Sequence, residues 1–76
     1  MDAVRTQIEA KAKSYADAGN FVSMADARWL VLEICRELGQ ERLAADALEY
    51  LASELVRLTL EAHDGRVSRL RLHRTG

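Results

Sequence analysis

Apolar side chains recur at steps of three and four along most of this 76-residue chain, the repeat of a helix with one face turned from water. Val4, Ile8, Ala12 and Tyr15 follow it first, and the spacing predicts a helix over 2–18. A second stripe, Met24, Ala27, Val31, Ile34 and Leu38, with Leu30 and Cys35 at its borders, predicts a helix over 23–38. Ala44, Leu48, Leu51, Leu55, Leu58 and Ala62 alternate steps of four and three, the seam spacing of helices packed at small angles, and predict a third helix over 41–63. Beside that seam runs a second row, Ala45, Ala52, Val56 and Leu60, while Arg42, Asp46, Glu49, Ser53, Arg57 and Glu61 make the wet face.

The punctuation agrees with the stripes. Gly19-Asn20, Gly39 and Asp64-Gly65 are the interruptions, and glycine supplies the positive φ that ends many helices. Ser23, with Asp26 three residues on, is close to a capping box and starts the second helix. The chain has no proline, so nothing in it forbids continuous helix. The fold class read from these signals is all-α: a short three-helix bundle, or a helical hairpin plus one helix, forming a domain over 1–65. Beyond Gly65, Val67, Leu70 and Arg74 suit a continuing helix, whereas residues 69–73 alternate like a strand. A helical tail that orders on contact and a two-stranded ribbon across a dimer both follow from that pattern.

Trp29 stands apart. By the helical step of about 100° it falls opposite Val31 and Ile34, near Leu32 and Arg36. Either another helix covers that face and the ring is core, or the ring anchors a partner, since tryptophan and arginine dominate binding energy at interfaces.

Composition sharpens this picture. A chain of 8.5 kDa buries only about 60% of its unfolded surface, and small domains commonly add disulfides, a metal or a second subunit. Cys35 is the only cysteine and reads as a small buried filler. His63 and His73 have no cysteine neighbours, so no metal or cofactor is expected. Two apolar rows on the third helix exceed what two short helices cover, and a homodimer or another protein partner is the expected remedy. The alternative is that the third helix sits centrally and satisfies both rows within the monomer.

Charge is unevenly placed. Residues 1–65 hold seven basic and twelve acidic side chains, net −5, whereas the segment 66–76 holds Arg66, Arg69, Arg71 and Arg74, net +4. Four arginines attract phosphates or an acidic protein surface equally well, so nucleic acid is an alternative partner. The acidic body argues against it.

Catalytic signals are missing: there is no phosphate-cradling glycine loop, no Gly-x-Ser-x-Gly and no His-Glu-x-x-His. Glu33 with Glu37, and Glu54 with Glu61, share helix faces, but Arg36 and Arg57 beside them mark solvated charge. His63 reads as a favourable cation at a helix end. With no long apolar run and no visible leader, a cytoplasmic protein without a membrane segment is expected.

Two short stretches resemble known families. Leu38-Gly39-Gln40-Glu41-Arg42-Leu43-Ala44-Ala45-Asp46-Ala47 resembles the turn after the first helix of archaeal-type histones, and the likeness implies that Arg42 faces a DNA backbone. The additional amino-terminal helix and the acidic body depart from that family. Tyr15 to Phe21 is similar to the hairpin turn of tetratricopeptide-like helix pairs, which implies a helical hairpin, although the repeat of about 34 residues is absent.

The expectation is therefore a non-enzymatic interaction module, an adaptor, regulator or inhibitor, with Trp29, Leu32, Arg36 and the four tail arginines as its contact residues.

Overall fold

Two glycines set the corners of the molecule. Gly19 and Gly39 adopt φ of 77° and 73°, and they are the positive-φ residues of the described chain. At each, the amide of the glycine reaches back to one carbonyl and the following amide to another: Gly19 to Ala16 and Asn20 to Tyr15, then Gly39 to Arg36 and Gln40 to Cys35. These paired bonds satisfy carbonyls that a helix end leaves orphaned.

The computed structural model describes residues 2–40 and 42–75, with side chains over 3–40 and 42–65. Between the corners lie α1 (Asp2–Asp17), α2 (Met24–Glu37) and α3 (Ala45–Thr75), and no strand occurs among the described residues. The first two match the expected spans within a residue. Ser23 caps α2 as expected, its hydroxyl accepting the Asp26 amide at 3.1 Å.

The third helix differs at both ends. It begins at Ala45 rather than 41, because residues 42–44 form a connection in which Leu43 is seated against the core. It also runs through Asp64-Gly65 to Thr75 without a break. Glycine inside a helix costs about 1 kcal/mol relative to alanine, which flanking leucines and arginines, strong helix formers, outweigh. In the single chain the backbone of residues 69–73 is helical rather than extended.

The two glycine contexts predict opposite signs. Gly19→Ala puts a side chain at positive φ and should lower stability by about 1 kcal/mol. Gly65→Ala meets open space on helical backbone and should raise it by about 0.5–1 kcal/mol. Urea denaturation followed by circular dichroism reads both.

Packing is organised around α3, which meets both α1 and α2, while those two touch each other least. Arg5 reaches Glu54 and Asn20 reaches His63, so α1 and α3 advance in the same direction. Val4, Ile8, Ala12 and Ala16 from α1, Ala27, Val31, Ile34 and Cys35 from α2, and Leu51, Ala52 and Leu55 from α3 are buried. Tyr15 is only half-buried, and Ala16 completes the α1 row in its place. Leu38, placed on the core stripe by its spacing, is largely exposed beyond the end of α2.

Both rows of α3 are thus met within one chain, with Leu48, Val56, Leu58 and Ala62 half-buried along them. Leu60, 48% exposed, and the small side chains of Ala44 and Ala45 at the start of the rows lie outside. Thr59 is buried among these apolar residues, and its hydroxyl donates to the Leu55 carbonyl at 2.7 Å, leaving no polar atom stranded.

His63 corrects a further expectation. It lies within α3 rather than at its end, and its Nε2 donates to the Asn20 carbonyl at 2.7 Å while its ring stacks on Phe21, centroids 4.1 Å apart. The corner between α1 and α2 is thereby pinned to α3. Beyond His63 the helix continues past this corner, and the longest dimension of the molecule, 50 Å, is that of its 31-residue helix at about 1.5 Å per residue.

Candidate partner-binding surface

The core of this protein contains no aromatic ring among its buried residues. Alanine, valine, isoleucine, leucine and cysteine fill it. Phe21, Trp29 and Tyr50 are 65, 67 and 56% exposed, and Tyr15 is half-buried. Such rings carry the largest apolar area of any side chain, so leaving them in water forgoes much of the available hydrophobic stabilisation. Phe21 has a partner in His63, but Trp29 stacks on no other ring among the described residues.

Trp29 sits midway along α2 because Ser23 fixes where the helix starts and the inner row fixes its rotation. Ala27, Val31 and Ile34 turn toward α3, which sends Trp29 to the opposite side. Ala25, Trp29, Leu32 and Arg36 follow one another at steps of four, three and four, and all four are exposed, Leu32 at 37%. The core reading of Trp29 fails for the chain taken by itself: α1 and α3 occupy the inner sides, and no element among the described residues covers this row.

Charge on the flanks is asymmetric. On the side toward α3, Arg28 forms a two-point pair with Glu49 at 2.5 and 3.2 Å. This hydrogen bond, with the added attraction, holds the Glu49 carboxyl below its ordinary range and raises Arg28. Arg57 likewise grips Glu54 and Glu61, as expected from the sequence, and Glu54 is held low mainly by its hydrogen bond from Arg57. On the other flank, Asp26, Glu33 and Glu37 fall within a narrow arc and belong to no ion pair among the described residues. Arg36 was expected to offset Glu33 and Glu37, yet it bridges to neither. Sequence reading placed Glu33 and Glu37 on one face but did not join Asp26 to them, although the steps of seven and four were the available signal.

A pH dependence follows from the paired carboxylates. Groups held low in the folded chain stabilise it above the ordinary carboxylate pKa of about 4.3, and that contribution is lost as pH falls through their folded values. Glu49→Gln should therefore lower the melting temperature at pH 7 by no more than a few degrees, since the pair is exposed. The gap to the parent should close in strong acid, as read by thermal melts across pH.

The other candidates divide as follows. Arg66, Arg69, Arg71 and Arg74 fall on helical backbone, their side chains lying outside the described residues. Cys35 is a free, buried thiol pushed above its usual pKa by desolvation, the opposite of an activated nucleophile. Among the described residues no group of three or more histidine, cysteine or acidic side chains converges as a metal cage would require. No described helix is long and apolar enough to cross a membrane. Comparison with protein families, curated proteins and solved structures returned no match.

Proposed function

We propose that this chain is a non-enzymatic protein-interaction module, an adaptor, regulator or inhibitor, whose contact surface is the outer face of α2 around Trp29, Leu32 and Arg36. One observation carries the reading: a core built without aromatics beside a tryptophan held 67% exposed at the centre of an apolar row. Solvated apolar residues scattered singly are ordinary, but a tryptophan within a row at seam spacing is what a partner helix or groove takes up. The free buried Cys35 suits a reducing compartment such as the cytoplasm.

Complexes recovered from the native source, with and without nuclease, test the assignment. A protein that survives nuclease and is lost with Trp29→Ala supports it. Retention of the same partner by Trp29→Ala contradicts it.

A nucleic-acid reading draws on one different feature, four arginines on ten residues of continuous helical backbone. It requires affinity for duplex DNA or RNA that falls steeply with salt and drops on truncation after Gly65. The net −5 of residues 1–65 opposes it, so the protein partner is preferred.

A further inference from the structure

Resting on that reading of the α2 face, we infer that its occupant is a second copy of this chain, and that the helical segment 66–75 of each copy docks across the outer face of α2 of the other. Four features converge on this pairing: charge, length, direction and the state of the acidic row.

The charges are complementary. Asp26, Glu33 and Glu37 line one edge of the Trp29 row without ion-pair partners among the described residues, and residues 66–75 carry four arginines with Val67, Leu70 and Leu72 between them. An arginine over the tryptophan face adds a cation–π contact that no acidic or neutral partner supplies. The lengths also agree. Ala25 to Arg36 spans about 16 Å of helix and residues 66–75 about 14 Å, at about 1.5 Å per residue.

The segment cannot reach α2 of its own chain. α3 is unbroken from Ala45 to Thr75, and it leads past the corner that His63 pins, away from the α2 row. Folding it back needs a break that the helical backbone at Gly65 does not provide. A two-fold axis that sets two α3 helices antiparallel brings each protruding segment alongside the other body, and both contacts form at once.

The free monomer also holds unfavourable charge that such docking relieves. Glu33 and Glu37 repel at i and i+4, and Glu37 lies in the last turn of α2, where a carboxylate opposes the helix dipole. Arginines from a partner reverse both effects.

Sedimentation equilibrium of the full chain tests the pairing, with two charge-reversed variants and circular dichroism to verify that each stays helical. The parent should dimerise at low ionic strength and dissociate at least about tenfold more readily in molar salt. Glu33→Arg with Glu37→Arg, and separately Arg69→Glu with Arg74→Glu, should each be monomeric where the parent is dimeric. Their equimolar mixture should restore the dimer, because each reversed face then meets an opposite one.

A parent that stays monomeric at all concentrations, variants that dimerise like the parent, or a mixture that stays monomeric overturns the inference. The α2 reading survives that result if Trp29→Ala still releases a nuclease-resistant partner of another kind. It falls with the inference if Trp29→Ala leaves every association intact.

Discussion

Leu55→Ala is expected to destabilise the chain by about 2–5 kcal/mol, the cost of the lost apolar area and of the cavity left behind. Leu55 is completely buried on α3, in the cluster that joins Val4 and Ile8 of α1 to Val31 and Ile34 of α2. A core this small supplies only about 3–5 kcal/mol in total, so the variant should be largely unfolded at 25 °C. Leu60→Ala is the matched control: the same side chain on the same helix, 48% exposed, should change stability by less than about 0.5 kcal/mol. Urea titrations followed by circular dichroism compare the two. Equal effects would mean that α3 is not the central element of the fold.

Trp29→Ala is expected to behave in the opposite sense, leaving the fold intact and removing association. The ring contributes little to the core, so its truncation should shift stability by less than about 0.5 kcal/mol. Truncating a tryptophan at the centre of an interface costs at least about 2 kcal/mol of binding, or roughly thirtyfold in affinity. Isothermal titration against the partner, or sedimentation where the partner is a second copy, measures that loss. Leu55 and Trp29 are thus assigned complementary roles, one in folding and the other in binding, although both are large apolar side chains on helices.

Features that depend on local chemistry were legible in the sequence. Gly19 and Gly39 end helices because a left-handed corner favours glycine, and Ser23 starts α2 because its hydroxyl takes the Asp26 amide. The inner rows of α1 and α2 were legible too, since burial of Ile8, Val31 and Ile34 follows from helical periodicity. The passage of α3 through Asp64-Gly65 was not, because a glycine ends a helix only when the chain turns there. Nor was the role of His63, whose contacts with Asn20 and Phe21 join residues more than forty positions apart.

The contact surface was legible in part for a related reason. The angular position of Trp29, Leu32 and Arg36 follows from the helix repeat, but whether anything covers them depends on where α3 settles. Because α3 lies on the inner sides of α1 and α2 and meets both, none of the apolar rows among the described side chains is left to cover Trp29. Among the described residues the exposed large apolar side chains are therefore Trp29 and Leu32 on α2, Tyr50 and Leu60 on α3, and Phe21 and Leu38 at the corners, with Trp29 the most exposed of them.

Quenching of tryptophan fluorescence by acrylamide at high dilution tests that arrangement most directly, since Trp29 is the sole tryptophan and reports without labelling. The account predicts red-shifted emission and quenching close to that of a freely accessible indole in the isolated chain. Blue-shifted emission from a ring that acrylamide cannot reach, persisting at every dilution, would place Trp29 inside the monomer and contradict it.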